Sequence, residues 1–228
     1  MKSYQLIHQL LTLVEKQEKE DNGAELSLRD FAGFLNSHLS QPDNNSFRPD
    51  VRLGDKENNI QQNQAYQLDN NIGRLFVYMS RYARSYIKKA LDGTPLQSPE
   101  DFTCLAILLT HDHLSKTDLI NKNLQEKTSG TEVIRRLIEA GLIDQWNDEK
   151  DKRGKRIGIT QKGKELLYAV FKDMSMVGQI VTGTLTLSEK LTLQYLLQKL
   201  ENFHYHHHEL KTVQTKADLR TVAAQLAD

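Results

Sequence analysis

The densest group of chemically active side chains lies in residues 149–164, which carry seven lysines and arginines against two acidic residues. Their local charge is therefore +5, whereas the 30 basic and 30 acidic residues of the whole chain balance. An exposed hairpin of this composition can bind phosphates or place a guanidinium in a narrow A·T-rich minor groove. A charged run alone is more often a solvated loop, so the interpretation needs support from neighbouring residues. The basic residues are Lys150, Lys152, Arg153, Lys155, Arg156, Lys162 and Lys164.

A second polar group stands at the start of a predicted helix just before this segment. A glycine and small hydroxyl side chains let a helix N-terminus approach base edges or phosphates, and an arginine one turn later can reach guanine. The alternative is an ordinary surface helix whose Val133, Ile134 and Leu137 face the core, which is compatible with DNA binding. The group consists of Lys127, Thr128, Ser129, Gly130 and Thr131, followed by Arg135 and Arg136.

Histidines near the C-terminus form a weaker candidate site. His204 and His208 are four residues apart on a predicted helix, a spacing that suits a zinc pair, and His206, His207 and Glu209 are close by. No cysteine or carboxylate completes the set by spacing, and histidines on a terminal helix are usually solvated. His111-Asp112-His113 is similarly interpreted as a polar turn. The sequence therefore predicts no bound metal and no cofactor, with metal sensing left as an alternative.

Cys104 is the only cysteine, so an intramolecular disulfide is excluded. It lies between Phe102 and Leu105 on an apolar helix, where a buried thiol is the commoner outcome. An oxidant-sensing thiol is the alternative, although no neighbouring cation argues for a lowered pKa. The chain also lacks a glycine-rich phosphate loop, a nucleophile elbow and an HExxH motif, and we expect no enzymatic activity.

The elements that position these groups are predicted from apolar spacing, which is helical over most of the chain. Only four prolines and twelve glycines interrupt it. The expected fold is mainly α with one small β-hairpin. Helices are predicted around residues 7–14, 28–39, 68–91, 99–110, 116–122, 128–140, 161–181 and 189–208, with caps at Ser27, Ser98, Thr160 and Ser188, and strands over 142–147 and 156–159.

This order divides the chain into three parts. Residues 1–66 form a helical N-terminal extension with a polar connector, residues 67–210 form the main domain with a hairpin at 142–159, and residues 211–228 form a tail that is helical or frayed. The composition, 38% hydrophobic without a long apolar run, predicts a soluble protein. The N-terminus lacks the apolar block of a signal peptide, so we expect a cytoplasmic location without membrane contact.

With two short helices followed by a hairpin, the residues resemble the MarR-type winged-helix regulators. The match covers about residues 68–203 and places three motifs in register. Gly130 and Glu132 depart from the family pattern, which has a β-branched residue and a basic residue at these positions. The motifs are Leu137-Ile138-Glu139-Ala140-Gly141-Leu142, Asp148-Glu149-Lys150-Asp151-Lys152-Arg153 and Ile159-Thr160-Gln161-Lys162-Gly163.

The resemblance implies a winged helix-turn-helix with long dimerisation helices, in a homodimer that binds a pseudo-palindromic double-stranded DNA operator. Arg153 would enter the minor groove, with Asp148 and Asp151 orienting the wing. The resemblance also implies DNA contacts at Ser115, Lys116, Thr128, Ser129, Gly130, Thr131 and Arg135. The local charge of the helix start and the wing adds Lys127, Lys152, Lys155 and Arg156 as predicted contacts. The implied dimer interface comprises Leu68, Ile72, Leu75, Leu193, Leu196, Leu200 and Phe203.

The sequence analysis thus favours a sequence-specific transcription regulator, of repressor type and responsive to a small-molecule effector whose site is unknown. A protein-interaction module on the same scaffold is the alternative from another class, supported by the neutral overall charge. A metal-responsive regulator that uses the C-terminal histidines is the third.

Overall fold

A computed structural model describes residues 2–20, 27–39, 52, 68–148 and 154–226. Helices in these ranges are α1 (Lys2–Glu20), α2 (Leu28–Leu39), α3 (Leu68–Ala90), α4 (Pro99–Leu109), α5 (Lys116–Lys122), α6 (Lys127–Glu139), α7 (Gln161–Thr182), α8 (Leu187–Glu209) and α9 (Lys216–Gln225). The strands are β1 (Leu114–Ser115), β2 (Ile143–Asn147) and β3 (Lys155–Ile159). The prediction of a mainly helical fold with a small β-hairpin is confirmed.

The chain forms two compact units, residues 63–184 and residues 1–62 with 185–228. In the first unit, α4, α5 and α6 enclose a core with the sheet and α7. Leu105, Leu108, Leu119, Leu137 and Leu142 are fully buried there. This arrangement of helices and sheet is a winged helix, and it holds α6 by its apolar side.

The sheet has three antiparallel strands in the order β1-β3-β2. Strands β2 and β3 form the predicted hairpin, with Gln145 opposite Ile157 and Trp146 opposite Arg156. Strand β1 was not predicted, because two residues are too few to show an alternating pattern. It pairs Leu114 with Ile157 and thereby attaches the start of α5 to the hairpin.

Helix α4 begins as the sequence predicts, at a capping box. Ser98 accepts a hydrogen bond from the backbone of Asp101, whose carboxylate accepts one from the backbone of Ser98. The neighbouring Glu100 forms an ion pair with Arg84 of α3. Burial is the largest single influence and raises the pKa of the Glu100 carboxyl, but the hydrogen bond and charge of Arg84, with hydrogen bonds from the backbone and Ser98, together lower the pKa below its usual value. Helices α3 and α4 are therefore connected by this pair.

The second unit contains α1, α2, α8 and α9. Phe31 is buried and stacks on Phe34 within α2. Arg29 of α2 lies over the ring of Tyr195 of α8, 5.5 Å from its centroid, so the N-terminal extension contacts this long helix. The tail, left open by the sequence as helical or frayed, forms α9 from a cap at Thr215.

The predicted cap of α8 at Ser188 is wrong. Thr186 caps this helix, because its hydroxyl accepts from the backbone of Glu189 while Glu189 accepts from the backbone of Thr186. Both residues fit the capping pattern locally, and the acid three positions after Thr186 decides between them. None of the helices in the described residues is long and apolar enough to cross a membrane.

Candidate nucleic-acid interface

The outward face of α6 carries most of the helix residues predicted to contact DNA. Lys127, Thr128, Ser129, Thr131 and Arg135 are exposed. Val133, Ile134 and Leu137 are buried on the opposite side and hold the helix against the core. Helix α6 is therefore both a surface helix with an apolar core face and a helix that presents polar side chains outward, so the two interpretations of it are compatible.

Gly130 is the exception among these predicted contacts. It is buried, and a Cβ atom built on it would lie 2.6 Å from Cγ1 of Ile120 on α5. Gly130 therefore allows α5 and α6 to cross closely. The expectation that it approaches a DNA groove is wrong. The sequence shows that Gly130 leaves space beside α6, but only the packing shows that this space lies on the side facing α5.

The turn between α5 and α6 is fixed by Asn123, which sequence reasoning missed. Its amide nitrogen donates to the carbonyl oxygen of Glu100 at 3.2 Å and to Oε1 of Gln125 at 2.9 Å. Its amide oxygen accepts from the hydroxyl of Thr103 at 2.6 Å. The next residue, Leu124, adopts a positive φ of 51°. Two of these three partners lie on α4, so the turn is held by a distant element.

A buried ion pair anchors α6 from behind. The Asp101 carboxylate, 1% exposed, accepts from Nη2 of Arg136 at 2.6 Å. It also accepts from the backbone nitrogens of Gln97 and Ser98, at 2.6 and 3.0 Å. These contacts satisfy a carboxylate that would be costly to bury alone. Arg136 therefore belongs to the framework, whereas Arg135 beside it is exposed.

Ser115 and Lys116 stand at the start of α5. The Ser115 hydroxyl accepts from the backbone of Asp118 and donates to the Asp118 carboxylate. Ser115 therefore caps α5, and both it and Lys116 are half-exposed. Their predicted contact with phosphate remains a prediction.

The described part of the wing pairs two of its predicted contact residues. Arg156 donates through Nε to the Asp148 carboxylate at 2.6 Å, and Lys155 donates to the side-chain oxygen of Asn147. Asp148 thus holds the Arg156 guanidinium and neutralises part of the local charge; its expected role in orienting the wing stays a prediction. Lys150, Asp151, Lys152 and Arg153 lie outside the described residues, and the roles expected of Asp151, Lys152 and Arg153 stay predictions.

The third motif joins the end of α6 to the start of α7. Thr160 caps α7 and donates to the carbonyl of Gly141 at 2.9 Å, and Lys162 donates to the carbonyl of Ala140 at 2.7 Å. A Cβ on Gly163 would lie 2.2 Å from the carbonyl oxygen of Leu142. Lys162 belongs to the basic segment of the sequence, but its ammonium binds a carbonyl group at the C-terminal end of α6.

The residues of the predicted dimer interface lie on exposed faces. On α3, Leu68, Ile72 and Leu75 are exposed. On α8, Leu193, Leu196 and Leu200 are exposed and Phe203 is half-buried. Each helix therefore presents an apolar stripe that its own unit leaves open.

Cys104 is buried, and desolvation raises the pKa of its thiol to about 12. This agrees with the interpretation as a structural thiol. Among the described residues, no group of three or more histidines, cysteines or carboxylates could hold a metal ion. Within the histidine cluster, the ring of Phe203 packs edge-on against His207, with their centroids 4.5 Å apart.

Comparison with known proteins supports the same fold. A family model described as a winged helix DNA-binding domain matches residues 110–163. The chain is 24% identical over 139 residues to the HTH-type transcriptional repressor NicR of Pseudomonas putida. The aligned residues make up 60% of this chain and 87% of NicR. A mutant MarR from E. coli complexed with operator DNA aligns with a TM-score of 0.50 and 23% identity, covering 60% of this chain and 96% of that one. The chain therefore has a winged-helix fold, similar to that of MarR.

A second solved structure concerns Bordetella bronchiseptica BpsR and the regulation of its DNA binding by 6-hydroxynicotinic acid. It aligns with a TM-score of 0.54 and 21% identity, covering 57% of this chain and 98% of that one. These structures are matched over nearly their whole length, whereas a large part of this chain lies outside each match. The resemblance seen in the sequence is confirmed for the winged helix.

Proposed function

We propose that this protein is a sequence-specific transcription regulator that binds double-stranded DNA as a homodimer. The observation that carries the proposal is the outward face of α6, where Lys127, Thr128, Ser129, Thr131 and Arg135 project from a helix fixed by a buried core. A helix held in this way can enter a major groove, with the neighbouring hairpin beside the phosphates. The MarR–operator complex and the repressor NicR support the same assignment, including repression as the outcome.

The apolar stripes of α3 and α8 support the proposed homodimer. Long helices with open apolar faces bury them against another chain in stable dimers, and interfaces of this kind are more apolar than the rest of a surface. Two copies related by twofold symmetry would read two half-sites, which makes a pseudo-palindromic operator the expected target.

A groove between α3 and α7 is the proposed effector site. It encloses about 400 Å³ and is lined by the Tyr86 ring, apolar side chains that include Met176 and Ile180, and the charges of Lys89, Asp92 and Asp173. One ammonium against two carboxylates favours a small aromatic ligand with a cationic or hydrogen-bond-donating group. BpsR, whose DNA binding 6-hydroxynicotinic acid regulates, supports ligand control in general.

DNA binding is tested with a duplex enriched by the wild-type chain from a randomised pool, titrated at several salt concentrations. Lys127→Gln removes a charge at the start of α6 and should weaken binding while lowering the salt slope by about one phosphate contact. Lys172→Gln removes the same charge from an exposed position on α7 and should change neither. Equal effects of the two variants, or no enrichment by wild type, would contradict the proposed interface and favour a protein-interaction module.

The effector site is tested by thermal shift with a panel of small aromatic amines and acids. A ligand that raises the melting temperature should lose its effect in Ile180→Trp, which fills the groove. Leu187→Trp enlarges an exposed leucine on α8, outside the groove, and should keep the effect. A ligand shift that survives in Ile180→Trp would place the site elsewhere.

A further inference from the structure

The outward face of α6 is electrically neutral, although the helix contains three basic residues. Arg136 is bound to Asp101 behind the helix, and its Nη1 also lies 3.8 Å from the Glu132 carboxylate. The exposed charges are therefore Lys127 and Arg135 against Glu132 and Glu139. Two cations and two carboxylates give the helix no net attraction for a phosphate backbone, whereas non-specific DNA binding depends on such attraction.

The two carboxylates both bind the same guanidinium. Nε and Nη2 of Arg135 donate to the two oxygens of Glu132, at 2.9 and 2.6 Å, and Nη1 donates to Glu139. The hydrogen bonds and charges of these acids raise the pKa of Arg135, while the hydrogen bond from Arg135 lowers the pKa of Glu132. Three of the five N–H donors of the guanidinium are thus engaged, and two remain.

Guanine accepts two N–H donors in the major groove, at O6 and N7. A phosphate can also accept two N–H donors from one guanidinium, but its negative charge is repelled by Glu132, whereas the neutral guanine edge is not. The Glu132 carboxylate can in turn accept from the amino group of cytosine. Glu132 also lies on the same helix face as Thr128, four residues earlier, and Arg135, three residues later, so it belongs to the part of α6 that meets base edges.

We propose that Glu132 is a specificity-determining residue, which positions Arg135 for a G·C base pair and opposes its binding to phosphates. Glu139 neutralises the same guanidinium but lies at the C-terminal end of α6, away from the bases. The inference rests on the proposed DNA binding and adds that Glu132, as well as Arg135, selects the DNA sequence.

The test compares wild type, Glu132→Gln and Glu139→Gln on the duplex enriched by wild type and on a scrambled duplex of equal composition. Each variant loses one negative charge at an exposed position of the same helix, so the two are matched in charge. Circular dichroism checks that both variants fold. Glu132→Gln should tighten binding to the scrambled duplex, steepen its salt dependence by about one phosphate, and lower the ratio of the two affinities about tenfold. Glu139→Gln should leave the ratio unchanged.

A base substitution separates base recognition from a general charge effect. Wild type should lose affinity when the most sensitive G·C pair of the enriched duplex is replaced by A·T, and Glu132→Gln should lose much less. An unchanged ratio in Glu132→Gln, or an equal fall in both variants, would overturn the inference while leaving DNA binding intact. If wild type enriches no sequence, the proposed function itself fails, and the inference fails with it.

Discussion

Gly163 shows how a single residue of the family motif is fixed by backbone contact. Because a Cβ there would meet the carbonyl oxygen of Leu142 at 2.2 Å, neither side can yield by rotating a side chain. Gly163→Ala should therefore destabilise the fold by at least about 1–3 kcal/mol, the usual cost of overpacking. Urea unfolding measures the change.

Gly178, on the same helix, provides the matched control. A Cβ there would meet nothing within 4 Å, and alanine is the better helix former by about 1 kcal/mol. Gly178→Ala should thus be neutral or stabilising. Equal losses in the two variants would show that the close contact at Gly163 does not exist.

Cys104 provides a second prediction at the residue scale. With its pKa raised to about 12 by desolvation, the thiol should react very slowly with iodoacetamide at neutral pH in the folded protein and readily after unfolding in urea, since the thiolate is the nucleophile. Mass spectrometry of alkylated protein measures both rates. Rapid alkylation of the folded chain would revive the oxidant-sensing alternative.

At the scale of elements, the position of α6 depends on the pair between Asp101 and Arg136. Asp101→Asn leaves Arg136 partly buried without its counter-charge and offers an amide where backbone donors already point. Breaking a buried pair costs about 3–5 kcal/mol, and we expect a loss near the lower end because Arg136 keeps some exposure. The midpoint of urea unfolding should fall accordingly.

Glu100, the residue before Asp101, supplies the control for the Asp101→Asn prediction. Glu100 also pairs with an arginine of another helix, but the Arg84 side chain is 58% exposed. Exposed pairs contribute about 0–1 kcal/mol, so Glu100→Gln should cost far less than Asp101→Asn. If the order were reversed, burial would not be what makes the Asp101 pair important.

At the scale of the whole molecule, the open stripes on α3 and α8 predict an association that charge insertion should break. Leu75→Asp and Leu196→Asp replace side chains that are about half exposed in the single chain, so each should leave the fold intact and convert a dimer to a monomer. Light scattering after gel filtration measures the mass. A dimer that survives both substitutions would contradict the proposed interface.

Leu124→Asp is the corresponding control, because Leu124 is exposed in the turn before α6 and belongs to neither stripe. This variant should remain dimeric. Its dissociation would indicate that any added charge disrupts the assembly.

The sequence by itself determined most of the helices, the hairpin and the winged-helix order of elements. These depend on apolar periodicity, caps and glycines, which act over a few residues. It also predicted α6 and the wing as the DNA-binding surface; Lys127, Thr128, Ser129, Thr131 and Arg135 are exposed, and their contact with DNA stays a prediction.

Only the tertiary structure decided which charges remain available at that surface. Arg135 and Arg136 are neighbours in the sequence, yet one is exposed and the other binds Asp101, 35 residues away. Gly130 faces Ile120, Arg156 binds Asp148, and Lys162 serves the end of α6. Such partners come from other elements, so the pairing of each charge, unlike the helix that carries it, follows from packing and not from local sequence.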